Sequence, residues 1–220
     1  MQNIRPLPLP ETILWDMDGT LIDQTKAIVC TYSEVIEEIT GKQPAPQAIR
    51  RSLGGTMAST MALFVDKSRI EEASIRFRSR FPEIMFDGLI TLPGSLELIE
   101  SAFKADIKQA ILTNKHGETA RIVSNQIGFS KFISTCIGNK DTDWSKPQRE
   151  LSYHVLQMIN SNAESACIIG DSPTDIETAR NAKMLCYCVT TGAHNSRELL
   201  AAGADAVFDN LIDIRKAFSL

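Results

Sequence analysis

"ILWDMDGTLID", residues 13–23, sets an apolar run directly against two aspartates two positions apart. "TILWDM", residues 12–17, reads as a buried strand, so Asp16, Met17, Asp18, Gly19 and Thr20 fall at its carboxyl end. Similar apolar runs recur at "IKQAIL" (107–112), "ACIIG" (166–170) and "MLCYCV" (184–189), with "FISTCIG" and "DAVFD" as weaker strand candidates. Helix-like segments alternate with them at 95–104, 118–127, 148–159, 174–182 and 196–202. Strands alternating with helices of this length imply βαβ units and a parallel sheet covered on both faces. The expected fold class is therefore α/β, with a doubly wound, Rossmann-like core.

The stretch 24–92 breaks this rhythm. It holds helix-like runs such as "KAIVCTYSEVIEEI" and "MASTMALFV", punctuated by "GKQPAP" and "LGG" and closed by "TLPG". A helical insertion between the first strand and the rest of the sheet is expected, dividing the chain into a core of residues 1–23 and 93–220 and an inserted unit of residues 24–92.

Composition narrows the function classes. The chain has 220 residues, 43% apolar and 23% charged, ordinary for a soluble globular protein. A net charge of −4 argues against nucleic acid or an anionic membrane as partner. The start, "MQNIRPLPLPET", has no apolar stretch of leader length, and no run reaches the roughly 20 apolar residues of a membrane span. The five cysteines form no CxxC pair; Cys186 and Cys188 share one strand face and read as small core residues. A reduced, cytoplasmic protein is expected.

In open parallel sheets, ligands bind beyond the carboxyl ends of the strands. The residues at those ends are chemically pointed here. Asp16 and Asp18 come after the first strand, Thr113-Asn114-Lys115 after "IKQAIL", and Asp171-Ser172-Pro173-Thr174-Asp175 after "ACIIG". Lys146 precedes Pro147 ahead of the helix at 148. Four carboxylates, Asp16, Asp18, Asp171 and Asp175, would meet near one point. Two like unit charges 4 Å apart cost roughly 4 kcal/mol at an effective dielectric near 20. A divalent cation and Lys146 together relieve most of this repulsion, and oxygen donors of this kind suit Mg²⁺ with a phosphate. Other motifs fit poorly. "DMDG" has its glycine too early for an EF-hand loop, "GDSPT" lacks the last glycine of a nucleophile elbow, and no P-loop is present.

These four segments, "DMDGT", "LTN", "SKP" and "GDSPTD", in this order and spacing, resemble the motifs of the haloacid dehalogenase superfamily, in its phosphoglycolate phosphatase-like group with a helical cap. The resemblance implies an enzyme, a Mg²⁺-dependent phosphatase acting on a small phosphorylated metabolite such as phosphoglycolate or a sugar phosphate. Asp16 would be the nucleophile, Asp18 the acid and base, and Thr113 with the Asn114 amide the phosphate holders. Lys146 would steady nucleophile and phosphate. Asp16, Asp171 and the Asp18 main-chain carbonyl would bind the metal, with Asp175 supporting that shell or pairing with Lys146. Asp18 argues against carbon–halogen chemistry, and Thr20 favours a phosphatase over a sugar phosphomutase, which stays as the alternative. A silent binding protein on the same fold is the alternative of another class.

By the same resemblance, residues 24–92 are a cap with hinges near 21–23 and 87–93. "RRSLGGT" (50–56) would hold its specificity loop, giving Arg50, Gly55 and Thr56 as substrate contacts, with Arg51 an alternative to Arg50. His116 would lie near the entrance; His154 and His194 read as structural or exposed. Lys183 replaces a glycine usual in relatives, Arg149 a common proline, and Trp15 reads as core. A monomer is the default and a dimer stays open.

Overall fold

The computed structural model describes residues 6–220; residues 1–5, the beginning of the stretch expected to carry no leader, lie outside the described residues. The chain starts with β1 (Thr12–Trp15), then β2 (Ile22–Asp23) and the helices α1 (Thr25–Thr40), α2 (Pro46–Arg51), α3 (Met57–Met61) and α4 (Ile70–Ile84). It returns through β3 (Ile90–Thr91) to α5 (Ser95–Lys104), β4 (Lys108–His116), α6 (Gly117–Ile127) and β5 (Thr135–Asn139). The remainder is α7 (Arg149–Met158), β6 (Ala166–Gly170), α8 (Pro173–Ala182), β7 (Leu185–Val189), α9 (Ser196–Ala202), β8 (Ala206–Phe208) and α10 (Leu211–Ala217).

Six strands form one parallel sheet in the order β5-β4-β1-β6-β7-β8. The chain thus winds outward from β1 to one edge, then returns to its other side, which is the doubly wound topology. Period-two alternation splits β1 between two cores. Ile13 and Trp15 pack with Leu98, Val123 and Ile214 from α5, α6 and α10. Leu14 packs with Val155, Ile176 and Leu199 from α7, α8 and α9. Three helices therefore cover each face. Trp15 is a core residue as expected; its indole Nε1 donates to Gln109 Oε1 at 3.0 Å.

Residues 25–84 hold α1–α4 around a third apolar cluster, including Tyr32, Val35, Ile36, Met61, Phe77 and Phe81. The two crossings between this cluster and the sheet pair with each other as the antiparallel ladder β2–β3, with Ile22 opposite Thr91. No helix among the described residues is long and apolar enough to cross a membrane.

Several local expectations change in the structure. "MASTMALFV" is helical only to Met61, and the chain then turns, burying Val65 and exposing Leu63. β4 runs on through Thr113, Asn114 and Lys115 instead of ending at Leu112, with a register shift where it does so. α10 has no counterpart among the helix-like segments of the sequence, though it closes one face of the sheet. Lys183 sits at φ +60° as the left-handed residue ending α8, which is why glycine suits that position.

Candidate active site

The carboxyl ends of β1, β4 and β6 lie side by side, and the expected residues converge there. Lys146 Nζ donates to Asp16 Oδ1 and to Asp175 Oδ1, both at 2.6 Å, and all three residues are buried. Asp175 uses its second oxygen on the turn that starts α8. It accepts from the Asp171 and Ser172 amides at 3.2 and 3.1 Å and from Ser172 Oγ at 2.6 Å. Of the two uses expected for Asp175, pairing with Lys146 is the one observed. Ser172 caps a helix and is no hydrolase nucleophile.

Asp171 accepts from Thr20 Oγ1 at 3.1 Å. Gly19, at φ +86°, passes so close that a Cβ there would stand 2.6 Å from Asp171 Oδ2, and a Cβ on Gly192 would overlap the same oxygen. Thr191 Oγ1 donates to the Gly19 carbonyl at 2.6 Å, so the β7–α9 loop closes the site from a direction that no motif in the sequence signals.

One carboxylate oxygen from each of Asp16, Asp171 and Asp175 lies within 4.8 Å of the others. The electrostatics show the strain. Burial pushes the Asp16 carboxyl up to about 6, although Lys146 opposes it. Burial, then Asp16 and Asp175, push Asp171 well above the usual carboxylate range. Burial alone would lower Lys146, but Asp16 and Asp175 outweigh it and hold the ammonium above its ordinary value.

Asp18 is not part of this cluster. Lys115 Nζ donates to both of its oxygens, at 2.9 and 3.2 Å, and also to Gln24 Oε1, and it lies 5.1 Å from the centre of the Phe81 ring. The Asp18 charge is therefore balanced locally. Three buried carboxylates against Lys146 leave two negative charges in excess, which a divalent cation would neutralise. All-oxygen donors suit a hard ion, so the residues present fit one.

Lys115 carries no expected role in the sequence motifs. With β4 continuing past Leu112, period-two alternation puts it beside Thr113. Thr113 is buried at the cavity edge, its Oγ1 accepting from the Lys115 amide at 3.2 Å. The Asn114 side chain acts as a clamp: Nδ2 donates to the Gly54 carbonyl at 3.1 Å and to the Lys146 carbonyl at 3.2 Å, while Oδ1 accepts from the Lys146 amide at 3.0 Å.

A cavity of about 560 Å³ lies between sheet edge and helical cluster, lined by Asp16, Asp18, Thr113 and Asp171 below and by α1 and α4 above. Arg50, Gly55 and His116 line it, as expected. Thr56 does not: its hydroxyl accepts from the Ser59 amide to cap α3, a use that threonine serves well. Arg51 also turns away, pairing with Glu198 on α9 at 2.8 Å. His154 packs on Trp144 and His194 lies 3.7 Å from Glu198.

Residues 13–189 match the family described as Haloacid dehalogenase-like hydrolase. The chain belongs to that family. Among curated relatives, a phosphoglycolate phosphatase from Pseudomonas fluorescens is 24% identical, covering 92% of this chain and 78% of the relative. The Pyrophosphatase PpaX of Listeria innocua is 25% identical over 92% of this chain and 94% of its own. A haloacid dehalogenase-like family hydrolase from Streptococcus pneumoniae superimposes with a TM-score of 0.85 at 23% identity, covering 96% of this chain and 98% of that one. Phosphatases of this family generally use a divalent metal.

Proposed function

We propose that this haloacid dehalogenase-like hydrolase is a Mg²⁺-dependent phosphatase that cleaves a small phosphate monoester through an aspartyl-phosphate on Asp16. One observation carries the reading: Asp16 is buried, lines the cavity and is held by Lys146 at 2.6 Å, with the Asp18 carboxylate lining the same floor. The names of the phosphatase relatives point the same way.

In the first half-reaction an Asp16 oxygen attacks phosphorus and the bond to the alcohol oxygen breaks. Asp18, having taken up a proton, passes it to the departing alkoxide. In the second, Asp18 takes a proton from water as that water attacks phosphorus, and the bond from Asp16 to phosphorus breaks, returning free phosphate and the starting carboxylate. Lys146 fixes the nucleophile and offsets charge on the phosphoryl oxygens; Thr113 and the Asn114 main-chain amide hold those oxygens. Asp16, Asp171 and the Asp18 carbonyl, with Asp175 behind them, would hold Mg²⁺, which would supply further charge neutralisation.

The test is phosphate release by purified protein with Mg²⁺ on a panel of monoesters that includes phosphoglycolate and hexose phosphates. Metal-dependent release is expected. Isomerisation of a hexose phosphate without free phosphate would replace hydrolysis by phosphoryl transfer within the substrate, and no turnover on any member would overturn the enzymatic reading.

A further inference from the structure

The cavity changes character between floor and rim. Its floor is polar: Asp16, Asp18, Lys115 and Asp171. Its solvent end is polar as well, because the lining residues Gln47, Arg50 and Glu118 are exposed. Between them stands an apolar wall made by Ile28, Tyr32, Phe77, Phe81 and Met85. Tyr32 and Phe77 meet at 4.5 Å between ring centres, and Phe77 stacks on Phe81 at 5.2 Å, so three rings form a row. Beside Tyr32 and Phe77 the hydroxyls of Tyr32 and Thr60 are neutral, and Thr60 already donates to the Ser52 carbonyl at 3.0 Å. The charged groups next to the wall are Arg78, which also lines the cavity, and the Lys115 ammonium, which lies against Phe81 at the floor end of the row.

A row of rings facing a cavity of about 560 Å³ is poorly matched to a two-carbon acid or to pyrophosphate. Either would leave the wall in contact with water, and neither would gain from it, since apolar surface contributes only when another apolar surface covers it. The volume falls in the range of pockets that enclose drug-sized ligands. Aromatic pairs also favour offset or tilted contacts with a further ring.

We propose that the substrate is the phosphate monoester of an alcohol carrying a flat apolar ring, with the phosphoryl group at Asp16 and the ring against Tyr32 and Phe77. This rests on the phosphatase reading above and narrows it to a class that the polar substrates named for the relatives do not include.

The experiment compares benzyl phosphate, ethyl phosphate and phosphoglycolate as substrates of the full chain with Mg²⁺, read by phosphate release. Benzyl phosphate should give a kcat/KM at least tenfold above both others, a difference of about 1.4 kcal/mol. Efficient hydrolysis of phosphoglycolate with no advantage for benzyl phosphate would overturn the inference and leave the phosphatase reading standing. No hydrolysis of any monoester would remove both. Phe77→Leu should lower the benzyl-to-ethyl ratio of kcat/KM at least threefold, and an unchanged ratio in the folded variant would count against the ring site. On the unaltered protein, benzylphosphonate should bind at least tenfold more tightly than ethylphosphonate by calorimetry; equal affinities would overturn the proposal whatever the variant does.

Discussion

The floor and the roof of the cavity are built by different forces. On the floor, charged groups meet partners from other segments: Lys146 with Asp16 and Asp175, Lys115 with Asp18, Thr20 with Asp171. These contacts are directional and sit in a buried, low-dielectric place, so small displacements change them sharply. The roof is a packed apolar cluster with three adjoining rings, and its forces depend on shape and area rather than direction. The difference teaches that the charged groups and the apolar surface of the cavity are held by separate parts. In the function proposed above, polar geometry fixes where phosphorus would react, while apolar packing sets what it would be attached to.

The comparison can be broken most severely at the floor. Asp16→Asn should lower kcat by about 10⁴-fold or more, as removal of a catalytic nucleophile does elsewhere, while the circular dichroism spectrum stays unchanged. Near-normal turnover in that variant would end the aspartyl-phosphate reading. Lys146→Met leaves Asp16 and Asp175 buried without their ammonium. Breaking a buried pair in this way costs about 3–5 kcal/mol, so calorimetry should find Tm lower by about 10 °C.

A smaller effect is expected where floor meets roof. Lys115→Met removes the charged contacts to Asp18 and Gln24, each worth about 1.5–3 kcal/mol at most. Proteolysis in the 86–92 segment should accelerate severalfold; an unchanged rate would mean that Lys115 does not hold the two regions together.

The floor's charge also sets a pH dependence. The Asp16 carboxyl is raised from 3.8 to about 6, so the fold binds this proton more tightly than the unfolded chain. Its protonation favours folding at low pH, and that contribution is lost as pH rises through about 6. A divalent cation competes for the same oxygens. The rise in Tm on adding Mg²⁺ should therefore be larger near pH 7.5 than near pH 5, and equal shifts would contradict the competition.

The smallest effect lies away from both regions. Lys183→Gly relieves a left-handed residue at the end of α8, and should raise stability by about 1 kcal/mol, or Tm by about 2–4 °C. Catalytic constants should not change.

Much of the fold is legible in the sequence because its signals are local. The span of α5 and β6 comes from apolar periodicity within each segment, and β1 from an apolar run ending at an aspartate. α3 ends short of its expected range although Met61 and Val65, four apart, are both buried and Leu63 is exposed, as a longer helix would have them. The burial pattern alone therefore does not mark the turn after Met61. The continuation of β4 through Asn114 is hidden because polar residues there look like the end of a strand, and only the neighbouring strands supply the partners that carry it on.

The site divides along the same line. Asp16, Asp18, Lys146, Asp171 and Asp175 stand out in the sequence because each comes after a strand or before a helix at a sheet edge, where side chains have no core to enter. Residue order alone determined which chemical groups gather there. Which group pairs with which was a tertiary matter. Asp175 faces Lys146, Lys115 takes Asp18, Asn114 holds the Gly54 carbonyl, and Thr56 turns to cap its own helix. The aromatic wall is likewise invisible in sequence, since Tyr32 and Phe77 are far apart along the chain and meet only when α1 packs on α4. Local pattern determines which elements form and which atoms reach the sheet edge; packing over long separations decides their partners, because ion pairs and ring contacts act only across a few ångströms.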